Sequence, residues 1–275
     1  MTDSSVLARL SPQASSRLVT LAETVLQAGI LARGSLKRRY SSQMVSKGPR
    51  DYQTEIDRAV EAEIAGRLAE AFPDYTIHGE EQMSDRTGRD GAPVIHIDPI
   101  DGTTNFAWGL PHFGMTVLIE EGGELIAGAV YDPMLDELFS AEKDGGAYLN
   151  GERLVCGEEG NVENVIVGAG LPVPGQVKSV GVDRYHSALR RLMDNTAGVR
   201  RLGSAALSTA YVAAGRLDGF FEDGLSLHDY GAAALLVREA GGIVTGFTGG
   251  PVGVNGDVLA ATPALHSWLV QGFAG

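Results

Sequence analysis

Residues 94–101, Val-Ile-His-Ile-Asp-Pro-Ile-Asp, form a largely apolar run that ends in two carboxylates, Asp98 and Asp101. Such a run reads as a buried strand, and burying unpaired charge is costly. No Lys or Arg occurs between Asp90 and Lys143, so the fold has to bring these acids a cation from elsewhere. Hard oxygen donors with no neighbouring Cys favour Mg²⁺, Mn²⁺ or Ca²⁺ over zinc. The next residues, Gly102-Thr103-Thr104, offer backbone N–H groups and hydroxyls that suit a phosphate carried in on the metal. A second acidic pair, Glu80-Glu81, follows Gly79, and a further acid, Asp229, opens a helical stretch. Acids gathered against their mutual repulsion mark a candidate functional site. Taken singly, each has a plainer reading: an Asx-type turn for Asp98 and Asp101, a solvated turn for Glu80 and Glu81, a helix N-cap for Asp229.

Leu18, Leu21, Val25, Leu26, Ala28 and Ile30 recur at helical spacing across residues 15–37. Ile56, Val60, Ile64 and Leu68 do the same across 56–71, with Phe72-Pro73 as the stop and Glu61, Glu63, Arg67 and Glu70 on the solvated face. The polar stretch between, with its Gly48-Pro49, reads as a mobile loop that includes Lys47. After Pro73, short β-type runs dominate. A hairpin over 113–132 turning at Gly122-Gly123, and turns at Asp144-Gly145-Gly146 and Asn150-Gly151, predict a meandering sheet. From about residue 162, strands alternate with helices at 182–194, 204–215, 228–242 and 265–273. The expected organisation is an N-terminal α+β half, 1–150, carrying most of the candidate metal ligands, and a C-terminal α/β half, 151–275, completing the site. Together the halves form one compact catalytic unit.

With 22 Lys+Arg against 35 Asp+Glu the formal charge is −13, the opposite of the basic face that direct nucleic-acid binding needs. The single cysteine, Cys156, excludes an intrachain disulfide framework and a multi-cysteine zinc site, and fits a reducing cytoplasm. Its setting, LVCGEEGN, makes it a bystander. The polar N-terminus, interrupted by Pro12, does not read as a secretory signal. The most apolar later stretch, YGAAALLVREAGGIV, is broken by Arg238 and Glu239 well short of the roughly 20 residues a bilayer span needs. A cytoplasmic protein without a membrane span is expected.

The string DPIDGTTNF, preceded by GEE and followed by HDYGAAALLVREAGG, resembles the inositol monophosphatase family of the Mg²⁺-dependent, lithium-sensitive phosphatase superfamily that includes fructose bisphosphatase. The resemblance runs from about Gln53 to the C-terminus. It implies a layered αβαβα sandwich, a homodimer, and two or three Mg²⁺ per subunit. Residue by residue it makes Glu80, Asp98 and the carbonyl of Ile100 ligands of the first Mg²⁺. Asp98, Asp101 and Asp229 would hold the second. Asp57, in TEIDRA, matches an acid that works with Thr103 to orient the attacking water; its plainer reading is an exposed residue in a first helical turn. Gly203, Ser204 and Ala205 match positions beside the substrate's ring, with a turn and helix start as the plainer reading. Glu222 matches an acid that contacts a substrate hydroxyl, or is a surface acid. One departure stands out: His228 precedes Asp229 where the family usually has Trp. It reads as a packing or hydrogen-bonding residue.

These residues imply hydrolysis of a phosphate monoester by direct water attack, without a phosphoenzyme. A haloacid-dehalogenase-type phosphatase has a similar DxDGT motif with an Asp nucleophile, but here Pro99 and Ile100 separate the acids and the motif lies a third of the way along the chain. The substrate order is myo-inositol monophosphate, then histidinol phosphate, 3′-phosphoadenosine 5′-phosphate, fructose bisphosphate and NADP. Some bacterial members of the family are implicated in RNA processing and transcription complexes, so a regulatory binding protein on the same fold is the rival from another class.

Overall fold

The computed structural model describes residues 4–36, 45–48, 51–53, 55–82, 84–173 and 175–274, the segments 45–48 and 51–53 by their backbone alone. Two sheets alternate with three helical layers. The first sheet has seven strands in the order β3 (Thr76–Gly79), β4 (Val94–Asp101), β5 (Gly114–Glu121), β6 (Glu124–Asp132), β7 (Glu137–Glu142), β8 (Gly146–Leu149) and β9 (Glu152–Arg153). Only the β3–β4 pair is parallel; the rest is the meander that the Gly-rich turns predict. One face is covered by α2 (Ser16–Ser35) and α3 (Glu55–Ala71), reached from the short α1 (Ser4–Leu7). Their apolar stripes bury Leu18, Leu21, Val25, Val60, Ile64 and Leu68 against Ile95, Ile97, Val117 and Ala129.

The second sheet has five strands in the order β11 (Gly198–Arg200), β10 (Ile166–Ala169), β12 (Gly219–Glu222), β14 (Val258–Ala261) and β13 (Ile243–Thr245). Between the sheets lie α6 (Ala205–Ala213) and α7 (Leu227–Glu239), which are apolar nearly all round because both faces are covered. Outside the second sheet, α5 (Val182–Asn195) and α8 (Pro263–Gln271) enclose Tyr185, Phe221, Phe247 and Phe273, whose rings stack or meet edge to face. The layering is therefore αβαβα.

Three sequence expectations need correction. The stretch read as a mobile loop carries a two-stranded antiparallel ribbon, β1 (Val45–Gly48) and β2 (Asp51–Gln53), and β2 lies against α4 (Thr103–Trp108); residues 37–44, 49, 50 and 54 lie outside the described residues. The helix α4 itself escaped periodicity because six residues make too little of a pattern. Glu61, expected on the solvated face of α3, is fully buried. Its carboxylate accepts the Glu81 backbone N–H at 2.7 Å and fills the space beside Gly79. An added Cβ at Gly79 would fall inside that carboxylate. Gly79→Ala should therefore displace Glu61 and lower stability by about 1–3 kcal/mol, as overpacking does. Equilibrium urea denaturation checks this, and an unchanged midpoint would contradict it.

Candidate active site

Asp98 and Asp101 are three residues apart, so strict strand alternation would point them to opposite faces. The ladder shows how they meet. Asp98 pairs with Thr116 and Asp101 with Gly114, three residues on β4 against two on β5. Pro99 has no N–H to give the ladder, and the bulge formed around it turns Asp101 back towards Asp98. Asp98 does close the Asx turn read from the sequence, since its Oδ1 accepts the Ile100 N–H at 2.9 Å. The turn is a local brace within a larger acidic group.

Three elements supply that group. Glu80 stands just past β3, its N–H continuing the ladder to the Ile97 carbonyl at 2.9 Å. Asp98 and Asp101 end β4 and are buried. Asp229 is the third residue of α7, where it forms a capping box with Ser226 and accepts that residue's N–H at 2.6 Å. Thr116 sets the start of α7 against the sheet by donating its hydroxyl to the His228 carbonyl at 2.6 Å. His228 lies 3.4 Å through Nε2 from Asp229 Oδ1.

The electrostatics express the crowding. Burial raises the proton affinity of Asp98 well above the usual carboxylate range, and the charges of Glu80, Asp101 and Asp229 add to it. Asp229 is raised well above that range too, by burial and then by Glu80, against the opposing Ser226 N–H. Asp101 rises only to about 6: burial lifts it, while Ser204 and the Ala206 and Ala205 N–H groups pull it down. Ser204 Oγ donates to Asp101, with the Ala206 and Ala205 amides at 2.8 and 3.2 Å. Asp101 thus sits at the N-terminus of α6, where helix dipole and free amides favour a negative charge. The plainer reading of Ser204 as a helix N-cap also holds, since its hydroxyl accepts the Leu207 N–H at 3.1 Å.

The other candidates divide. Asp57 is fully buried in the first turn of α3, which excludes the exposed-residue reading. Thr103 donates to the Ile100 carbonyl at 3.1 Å, Gly102 is left-handed at φ 99°, and Thr104 is exposed on α4. Gly203, at φ 90°, packs on Asn105. Glu222 ends β12 partly buried and not as a surface acid; burial raises it to about 7 against the opposing charge of Arg201, while Asp101 raises it further. Gln176 Nε2 donates to it at 3.2 Å. Sequence reasoning missed Asn105, whose Nδ2 donates to the His112 carbonyl at 2.7 Å and the Leu202 carbonyl at 2.8 Å. It ties the acidic loop to the segment leading into Gly203. Its signal was its place within DGTTNF, where only the acids and hydroxyls drew notice. Cys156 is buried with its thiol pushed up by burial, in keeping with a bystander.

Among the described residues no three acidic, His or Cys side chains are drawn into a closed metal cage. The donor set nonetheless fits a hard divalent cation: oxygen ligands converge, the charges of Glu80, Asp101 and Asp229 raising the proton affinity of Asp98 and those of Glu80, Asp101 and Glu222 raising that of Asp229.

The sequence profile of the inositol monophosphatase family matches residues 14–274. The chain belongs to that family. An inositol-1-monophosphatase from Mesorhizobium japonicum is 39% identical over 256 residues, covering 91% of this chain and 95% of that protein. A protein named Nus factor SuhB from Pseudomonas aeruginosa is 43% identical over 224 residues, 81% of this chain and 82% of its own. The solved structure of the extragenic suppressor protein suhB from Bartonella henselae has a TM-score of 0.87 at 34% identity and covers 94% of this chain and 98% of its own. This inositol monophosphatase family member is accordingly of phosphatase type, with the layered sandwich of its solved relatives. No helix among its described residues is long and apolar enough to cross a membrane.

Proposed function

We propose that the chain is a Mg²⁺-dependent phosphomonoesterase for a small phosphorylated polyol, with myo-inositol monophosphate as first substrate. The observation that carries this is the convergence of Glu80 just past β3, Asp98 and Asp101 at the end of β4 and Asp229 at the start of α7, with raised proton affinity at Asp98, Asp101 and Asp229. Glu80, Asp98 and the Ile100 carbonyl would hold one cation, and Asp98, Asp101 and Asp229 a second. Mg²⁺ supplies charge neutralisation at the phosphoryl oxygens and a lowered pKa for water. Asp57 and Thr103 orient that water. Gly102, Thr103 and Thr104 present the N–H groups of a helix start, which have no intrahelical partner, to the phosphate. Ser204 and the Ala205 and Ala206 amides hold Asp101 in place, and Glu222, with Gly203, Ser204 and Ala205, lines the polyol side. Residues 1–150 and 151–275 act as one unit, because α7 of the second half both carries Asp229 and packs on the first sheet.

The raised affinities give a pH-dependent result. An acid whose folded value is raised stabilises the fold fully below its unfolded value, near 3.8 for Asp101, and loses that contribution as pH rises through about 6. The metal-free protein should therefore lose the Asp101 contribution between about pH 4 and pH 6, so that it is gone at pH 8, and Mg²⁺ should restore stability there. Thermal unfolding with and without Mg²⁺ should show a larger Mg²⁺-induced rise in Tm at pH 8 than at pH 5. Equal rises would contradict the arrangement.

The substrate is tested by phosphate release from myo-inositol monophosphate, histidinol phosphate, 3′-phosphoadenosine 5′-phosphate, fructose bisphosphate and NADP, with and without lithium. Highest kcat/KM for the inositol ester, with Glu222→Gln raising its KM by roughly tenfold as one lost hydrogen bond to a charged group does, supports the polyol reading. Preference for another ester replaces the substrate.

A second reading, a regulatory binding protein, is favoured by the relatives named Nus factor SuhB. The charge of −13 opposes direct nucleic-acid binding and leaves a protein partner. Hydrolysis of none of the five esters would favour it.

A further inference from the structure

On the sheet face that carries Asp98, a second cluster of metal-ligating side chains lies one step back along the strands. His78 on β3 and His96 on β4 are direct partners in the parallel register, with ring centroids 6.0 Å apart and planes tilted by 32°. On β5, Glu120 Oε2 meets His96 Nε2 at 2.9 Å. Asp85 Oδ2 stands 3.9 Å from His78 Nδ1, while its Oδ1 accepts the Gly79 N–H at 2.9 Å. None of these four has a role in the proposed hydrolysis.

We propose that His78, His96 and Glu120, with Asp85 at the rim, bind one borderline divalent transition cation such as Zn²⁺, Co²⁺ or Ni²⁺. Two imidazoles with a carboxylate are the donor set such ions prefer, and one that Mg²⁺ avoids. The paired strands fix the spacing of the two rings, and Glu120 already holds His96 in orientation. As they stand these side chains, like every other such group among the described residues, are not placed to hold a metal ion, and closing the set requires His78 to turn. The His78 side chain is 54% exposed, so its ring is free to swing towards His96, and the same exposure gives the ion its way in. His96 and Glu120 are mostly buried, at 15% and 25% exposure, which keeps the other half of the site preset. Alternate residues on a strand are roughly 6.5–7 Å apart, so this cation would lie beside the carboxylates Glu80 and Asp98 and yet be held by different atoms.

Co²⁺ is the probe, added to the full chain in saturating Mg²⁺ so that the carboxylate site is occupied by the hard ion. The expected result is one equivalent of Co²⁺ with a visible absorption band stronger than that of the hydrated ion, and two imidazole ring N–H resonances shifted by the paramagnetic centre. His78→Ala, at an exposed side chain, should remove one of these resonances and weaken Co²⁺ at least tenfold, and His96→Gln should remove the other. Asp101→Asn should leave both, which separates this site from the one proposed for hydrolysis. Co²⁺ without shifted imidazole resonances, or both resonances surviving in His78→Ala, would overturn the proposal.

Discussion

Asp101→Asn should abolish Mg²⁺-dependent phosphate release, by about 10³-fold or more, and leave the protein folded. Loss of the several kcal/mol of transition-state charge stabilisation that a bound cation would supply corresponds to that factor at about 1.36 kcal/mol per decade. The fold should tolerate the change because Asp101 is held by α6 donors rather than by a cationic partner: its carboxylate accepts from Ser204, Ala205 and Ala206. An Asn oxygen keeps part of that acceptor role, and the variant no longer carries a buried charge whose proton affinity is lifted to about 6. The paired readouts are phosphate release and the Mg²⁺-induced change in Tm. Both should vanish, with circular dichroism unchanged. A variant that keeps hydrolysis would remove Asp101 from the site.

Asp57→Asn should separate water orientation from metal binding. Asp57 is fully buried in the first turn of α3, a helix that packs on β3 and β4. Positioned proton-accepting groups are worth roughly 10²–10⁴-fold, so kcat should fall by about that range while KM for the phosphate ester changes little. The Mg²⁺-induced rise in Tm should persist, in contrast to Asp101→Asn. Equal loss of both readouts in the two variants would make Asp57 part of the main metal site.

The acids were legible because chemistry constrains them tightly: a buried strand ending in Asp98 and Asp101 with no cation in reach has few solutions. The meander and the longer helices were legible for a related reason, since turn glycines at 122–123, 145–146 and 151 punctuate the strands and longer apolar periods mark α2, α3, α6 and α7, whereas the αβαβα layering followed only from the family resemblance. Other features were hidden by the length over which a pattern can be read. The helix α4 and the strand β13 are too short to show a period. Glu61 has the composition of a surface residue, and only the missing side chain of Gly79, eighteen positions away, makes room for it inside. The bulge at Pro99 decides which way Asp101 points, and its register depends on β5 as much as on β4. Asn105 bridges two carbonyls, at His112 and Leu202, the second 97 residues distant, which no local pattern encodes.

The most direct test of the central claim is phosphate release from myo-inositol monophosphate by chelator-stripped protein as Mg²⁺ is added back. The account predicts no turnover without the ion and a saturable rise with it, reversed by chelation and absent in Asp101→Asn. Turnover that is independent of Mg²⁺, or that survives in Asp101→Asn, would contradict it.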